Sequence, residues 1–466
     1  MSAAHNFGWG HIARMGLVQA CLGAVVVLTT STLNRVMVVE LALPALLPGV
    51  LVALHYLVQV ARPRMGHGSD VGGRRTPWIL GGMAVLACGG VLAALATVWM
   101  ASSPLAGIAL AVLAFVLIGL GVSASGTSLL VMLAKRVAPE RRPAAATLVW
   151  VMMIAGFAIT AGVAGHLLEP YSPQRLLAVT GAVCLGAFMV TVLALHRLEG
   201  HTVTQASSAA DVAAETPPPF REALAQVWRE PVARRFTIFV FVSMLAYSAQ
   251  DLILEPFAGQ VFGYSPGAST QLAGVQHGGV LLGMLLVAAA GALSARWGTR
   301  HALWRALGSL RGWAVAGCVA SALALFGLVA AGLSGGYWPL KPTVFLLGVA
   351  NGAFSIGAIG SMMRLANEGR HRREGVRMGL WGAAQAVSFG LGGLVGTAAS
   401  DLARWLIAAP GLAYASVFAL EGALFLLSAA LAWQIGTSVP ATTARSTPRP
   451  ARHPSGDGLF LSTDPR

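Results

Sequence analysis

Residues 66–75 read Gly66-His-Gly-Ser-Asp70-Val-Gly-Gly73-Arg74-Arg75, and residues 291–300 read Gly291-Ala-Leu-Ser-Ala295-Arg296-Trp-Gly298-Thr-Arg300. A shift of 225 positions lays one over the other and brings Gly73 onto Gly298 and Arg75 onto Arg300. Further on, a shift near 232 lays Leu133-Ala134 over Leu365-Ala366 and Arg141 over Arg373. The two halves of the chain repeat. The matched segments are short and basic and lie between long apolar runs, so the repeated unit is a set of membrane crossings.

The apolar runs fall at about 14–36, 44–62, 77–100, 104–133, 144–168, 175–196, 235–258, 270–295, 312–333, 341–364, 376–402 and 411–435. Each approaches the ~20 residues that cross a ~30 Å hydrocarbon core as a helix. Only 10% of the 466 residues are charged and 56% are hydrophobic, and the mean hydropathy is +0.72. A soluble domain needs roughly 25% charged residues to keep its surface wet. The chain reads as an all-α membrane protein: twelve transmembrane helices in two pseudo-symmetric six-helix bundles, residues 14–196 and 235–435. A cytoplasmic arm (1–13), a cytoplasmic linker (197–234) and a disordered cytoplasmic tail (436–466) flank them. The linker carries HTVTQASSAADVAAETPPPF, whose Ser, Ala, Thr and Pro cannot build a core. Its last part, Phe220–Glu230, is expected to form a short amphipathic surface helix.

The net charge of +14 does not mark a nucleic-acid binder, because the basic residues sit in alternate loops. With the N-terminus cytoplasmic, 27 of the 31 Lys and Arg residues fall on the cytoplasmic side, and only Arg35, Arg175, Lys341 and Arg404 fall on the other. That bias orients the chain in a bacterial inner membrane, cytoplasmic or intracytoplasmic, with both termini inside. The N-terminus shows no cleavable signal peptide. Cys21, Cys88, Cys184 and Cys318 lie singly in apolar runs and suit neither a metal site nor a disulfide framework. No nucleophile elbow, Walker loop or His-Glu-x-x-His occurs, so no enzymatic activity and no free metal are expected.

The loop Gly66–Arg75 resembles the signature loop of the major facilitator superfamily, G-x-x-x-D-R-x-G-R-R. Gly66 lets helix ends approach, Asp70 can sit at a neighbouring helix N-terminus, and Arg74 and Arg75 anchor the loop at the interface. Gly291, Gly298 and Arg300 repeat the pattern. Val71 stands where the family has Arg, and Ala295 where the second copy has an acid, which puts ordinary gating in doubt. Without the resemblance the loop is a basic turn.

Polar residues inside the spans are costly in lipid and face a partner or a cavity. The seventh span carries Tyr247, Gln250, Asp251 and Glu255, with Asp251 and Glu255 one turn apart on one face. The first span places Asn34 and Arg35 at matching depth. Arg35 either pairs across the bundles with Glu255 or Asp251, or each charge snorkels to the boundary. Glu421, in the twelfth span, is expected to be protonated or paired with a neighbouring protein. His55 and His277 sit at hydrocarbon depth. Each is either a hydrogen-bonded core residue or a donor of an axial nitrogen to a chlorin magnesium. The glycines at 278–279 and 390–396 read as close helix packing, with contact to a flat ligand as the alternative.

Three strings carry a more specific resemblance: Thr32–Leu41 (TLNRVMVVEL), Arg141–Trp150 (RRPAAATLVW) and Gln250–Gly283 (QDLILEPFAGQVFGYSPGASTQLAGVQHGGVLLG). They resemble the bacteriochlorophyll-delivery (PucC/LhaA-like) family of the major facilitator superfamily, over about residues 12–435. The arm is short beside PucC proteins, which points to another paralogue, one associated with bacteriochlorophyll synthesis genes. The resemblance implies a chaperone that handles bacteriochlorophyll, or a lipophilic precursor, and assists light-harvesting and reaction-centre assembly in a phototrophic bacterium. Its implied partners are light-harvesting or reaction-centre polypeptides, membrane lipid and enzymes of bacteriochlorophyll synthesis. The alternative is a proton-coupled major facilitator transporter of a small lipophilic or polar solute, with Asp251, Glu255 or Glu421 titrating. Inward polar candidates outside the seventh span are few (Ser123, Ser125, Thr127, Asn351, Gln385), which favours a hydrophobic ligand or partner.

Overall fold

Apolar runs in a bilayer must close their own backbone hydrogen bonds, and every regular element among the described residues is helical. The computed structural model describes residues 7–59, 74–138, 141–199, 228–297, 302–367 and 374–437. The first six helices are α1 (Trp9–Glu40), α2 (Leu46–Val58), α3 (Thr76–Met100), α4 (Pro104–Arg136), α5 (Arg142–Leu167) and α6 (Pro173–Leu195). The second six are α7 (Pro231–Phe262), α8 (Pro266–Trp297), α9 (Leu310–Leu333), α10 (Leu340–Asn367), α11 (Glu374–Leu406) and α12 (Pro410–Thr437). A short turn of helix, Ala302–Leu307, precedes α9. Among the described residues, eleven helices are long and apolar enough to cross a membrane; α2, at 13 residues, is shorter than the expected 44–62 span, and residues 60–73 lie outside the described residues. The chain is a multi-pass membrane protein.

Local chemistry sets the helix ends. Pro104, Pro173, Pro231, Pro266 and Pro410 open their helices, where a missing N–H costs nothing. Ser172 and Ser309 cap α6 and α9 by accepting the backbone N–H of Arg175 and Gly312. Gly263, at φ 67°, ends α7 in the left-handed conformation that suits glycine. Exposed Trp9, Trp228, Trp297 and Trp433 mark one end of the bundle and Trp99, Trp405 and Tyr337 the other, as aromatic rings do at the two membrane interfaces.

The main helix contacts of the first half recur six helices later. The pairs α1–α5, α1–α6, α2–α4, α3–α4 and α3–α6 are matched by α7–α11, α7–α12, α8–α10, α9–α10 and α9–α12. Among the described residues each bundle has its own large apolar core, and a small third cluster, Ile154 with Val280 and Met284, bridges α5 and α8. Across the bundles, α5 lies on α8 and α2 on α11. A methyl group at Gly279 would strike the backbone of α10, and one at Gly396 would strike Ala249 of α7, so these glycines serve close packing.

One difference from the sequence reading has a physical cause, and two expectations fall mostly outside the described residues. First, α1 runs to Glu40 rather than ending near residue 36, because two π turns, Leu28–Thr32 and Val36–Glu40, keep the polar stretch helical and inward. Second, of the signature-loop residues only Arg74, Arg75 and Gly291 are described; Gly66, Asp70, Gly73, Gly298 and Arg300 lie outside the described residues. Third, only Trp228 onward of the expected surface helix is described, and most of the linker and tail lies outside.

Candidate functional site: the polar seam between the bundles

The seam is built where the π turns of α1 face α7. A π turn bonds i to i+5 and is found mostly where a helix has a task beyond support. Pro256 sits inside α7 and has no N–H to give the carbonyl of Leu252, four residues back. Asn34 supplies the missing donor from the other bundle: its Nδ2 donates to Leu252 O at 2.6 Å. Beside it, the Thr32 and Thr270 hydroxyls meet at 3.0 Å, again across the bundles.

Arg35 is 2% exposed. Its Nη1 donates to Glu40 Oε1 at 2.5 Å, and its Nη2 donates to the Tyr264 carbonyl of the α7–α8 turn at 2.6 Å. Gly259 of α7 makes room, since a methyl there would lie 3.0 Å from Nη2. The expected ion pair of Arg35 with Glu255 or Asp251 is therefore not formed. The π turn brings residues five apart onto one face, which gives Arg35 to Glu40 instead. Glu255 is 1% exposed, and neither carboxylate oxygen has a hydrogen bond among the described residues. Arg35 remains near enough to act on it electrostatically. Gln250 is wholly buried with both amide atoms unbonded among the described residues.

Deeper in the seam, Gln276 of α8 donates to Asp251 Oδ1 at 3.2 Å. Tyr247, one turn before Asp251, packs at a tilt against Phe389, which also meets Tyr56 of α2. Glu421 is 2% exposed and lies close enough to Asp251 to feel its charge. It is buried within its own bundle rather than presented at the surface.

The two histidines are set differently. His55 is buried, and its Nε2 shares a hydrogen bond with Gln59 Nε2 at 2.9 Å. His277 is half-buried; its Nδ1 lies 2.9 Å from Ala273 O. A carbonyl can only accept, so Nδ1 carries the proton and Nε2 of the neutral ring keeps the lone pair a metal requires. Phe157 of α5 packs edge-on at 5.0 Å between ring centres, and beside His277 a methyl at Gly278 would meet nothing within 4 Å. His277 thus fits an axial ligand of a flat magnesium macrocycle, and His55 fits less well.

At the termini end, Glu199 accepts the backbone N–H of Arg75 (2.7 Å) and Thr76 (2.9 Å), capping α3. Burial works to raise its carboxyl pKa, but those hydrogen bonds and the Arg75 charge outweigh it and hold the group below the usual carboxylate range. Sequence reasoning passed over Glu199, Glu169 and Asp401. Each is an acid at a loop edge, and the last two stand 232 positions apart, the repeat offset itself.

A family model described as PUCC protein matches residues 32–439. The chain is 53% identical to the "Bacteriochlorophyll synthase 44.5 kDa chain" of Rhodobacter capsulatus, covering 92% of this chain and 95% of that one. It is 30% identical to "Protein PucC" of Cereibacter sphaeroides, covering 89% and 90% of the two chains. Among solved structures it resembles the D-xylose-proton symporter (TM-score 0.65, 13% identity, 92% of this chain and 97% of that one). The peptide transporter POT bound to sulfate is similar (TM-score 0.65, 13% identity, 94% and 97%). At such identity these likenesses show the major facilitator fold alone.

Proposed function

The chain belongs to the PUCC protein family, and from that membership we propose that it handles bacteriochlorophyll, or a lipophilic precursor, and assists assembly of light-harvesting and reaction-centre complexes. The proposed location is the inner membrane of a phototrophic bacterium, with both termini cytoplasmic, a reading supported by the distribution of basic residues. The observation that carries the pigment reading is His277: a half-buried imidazole whose Nδ1–H is committed to Ala273 O, leaving Nε2 as donor. Bound there, the pigment would supply the light-absorbing macrocycle and a magnesium needing one axial nitrogen. The chain's part would be to present Nε2, keep bulk water from competing for the metal, and hold the imidazole in place by packing Phe157 against it. We read this as carriage rather than catalysis, although the Rhodobacter capsulatus relative is named as a synthase chain. Antenna or core polypeptides are the proposed recipients, and enzymes of pigment synthesis the proposed donors.

The test is deletion in a phototroph together with purification in mild detergent. The expected result is loss of one antenna or core complex while its transcripts persist, and chlorin absorbance on the purified protein. Normal complexes together with a colourless protein would sink the reading. The transporter reading then takes over, supported by half-buried Asp251 and its Gln276 partner on the inner face of α7.

A further inference from the structure

The bundle end opposite the termini is held by two contacts of one kind. At the end of α11, Asp401 reaches across to the start of α2: Oδ1 accepts the Ala45 N–H at 3.0 Å and Oδ2 the Leu46 N–H at 2.7 Å. At the end of α5, Glu169 reaches across to the start of α8. There Oε1 accepts the Ala268 N–H at 3.1 Å and the Ser265 hydroxyl. In each case a carboxylate from one bundle caps the positive N-terminus of a helix in the other. Asp401 follows Glu169 by 232 positions, the offset that lays Arg141 over Arg373. The helices they cap, α2 and α8, are themselves repeat partners. The two contacts are therefore one device written twice.

A basic residue bonds the Asp401 carboxylate, and another bonds the backbone at Glu169. Arg404 donates to Asp401 Oδ1 through Nη2 and to Gln260 Oε1 through Nη1 (3.3 Å), and Tyr414 also donates to that Gln260 oxygen at 3.1 Å. Arg175 donates to the Glu169 carbonyl through Nη1. With Arg35, these are three of the four basic residues that the charge bias leaves at this end. The three acids there, Glu40, Glu169 and Asp401, are all engaged as well. Close backbone approach accompanies both contacts, because a methyl at Gly49 would strike Thr397 and one at Gly165 would strike α8.

We propose that Glu169 and Asp401 are a matched pair of clasps that lock the two bundles together at this end, and that this end opens only when both release. The proposal concerns motion between the bundles and goes beyond pigment handling; it stands or falls without any pigment readout. The seam residues Thr32, Asn34 and Thr270 lie behind the clasps, so release is the route by which that seam reaches the far side of the membrane.

The experiment measures spin-label distances in the full chain, with Cys21, Cys88, Cys184 and Cys318 each changed to serine. One pair of labels replaces exposed Leu105 and Tyr337, one in each bundle at the clasped end. A second pair replaces exposed Trp9 and Trp433 at the termini end. With both clasps intact, the first pair should give a single narrow distance. In the Glu169→Ala, Asp401→Ala double variant it should gain a second, longer-distance peak while the termini-end pair does not lengthen. Single variants should show a smaller fraction of the longer peak. If the double variant does not fold, Glu169→Gln with Asp401→Asn, which keep volume and one accepting oxygen, should move the first pair the same way by less. No change in the first pair, or equal broadening of both pairs, would overturn the proposal.

Discussion

The side chain of Asn34 stands in for the backbone N–H that Pro256 lacks. Pro256 leaves the Leu252 carbonyl without its intrahelical donor, and Asn34 Nδ2 donates to that carbonyl from the opposite bundle at 2.6 Å. One bundle thereby completes the secondary structure of the other. The bond offsets part of the cost of burying two polar groups that would otherwise go unpaired.

Replacing Asn34 with Leu should therefore destabilise the protein by about 1–2 kcal/mol, the range for an interhelical hydrogen bond in a membrane protein. Pro256→Ala restores the N–H to Leu252 and should make the Asn34→Leu loss smaller. A double-mutant cycle by thermal unfolding in detergent measures this. Strictly additive losses would show that the two residues do not share the carbonyl.

Arg35 gives a second cycle with a different shape. Arg35→Leu removes the cation nearest to buried Glu255 and should cost about 3 kcal/mol or more, as stranding a buried charge does. Adding Glu255→Gln should recover part of that loss. Adding Glu40→Gln should recover little, because the Glu40 side chain is 36% exposed and finds water. Recovery with Glu40→Gln and none with Glu255→Gln would reverse this assignment of the buried charge.

Much of this was legible in the chain, and for a reason. In lipid the backbone has no other way to satisfy itself, so apolar length alone dictates helices. The offsets of 225 and 232 announced the six-helix repeat. What could not be read were choices made by local geometry. The π turn at Val36–Glu40 rotates Glu40 onto Arg35 and takes it from Glu255, and no spacing rule for regular helices anticipates that. The inward face of Glu421 depends on how α12 rolls against α7. Glu169 and Asp401 were visible at the repeat offset but looked like ordinary loop acids, because the helix N-termini they cap belong to distant parts of the chain.

Glu199 predicts an acid limb in the stability profile. Its folded pKa lies below the ordinary value of about 4.3. Its contribution is therefore present above that unfolded value and is lost as pH falls through the lower, folded one. Glu199→Gln should weaken the cap of α3 by on the order of 1 kcal/mol at neutral pH. It should also flatten the fall in melting temperature on acidification below about pH 4.3. An unchanged acid limb in the variant would mean that other carboxylates set it.

The last prediction separates the two histidines. If pigment is held through magnesium, the ligand must offer an unprotonated nitrogen with space in front of it. His277 has Nδ1 committed to Ala273 O, is half-buried, and stands about 21 Å along α8 from Gly291 at ~1.5 Å per residue. That depth keeps water from the metal. His55 is 2% exposed with Nε2 already bonded to Gln59, so binding there would first have to break that bond and open the packing. His277→Leu should remove most of the chlorin absorbance that co-purifies with the protein, whereas His55→Leu should leave most of it. His277→Gly should regain absorbance when imidazole is added, because free imidazole can occupy the vacated position and present the same nitrogen. Equal losses in His277→Leu and His55→Leu, or no rescue by imidazole, would rule out His277 as the axial ligand.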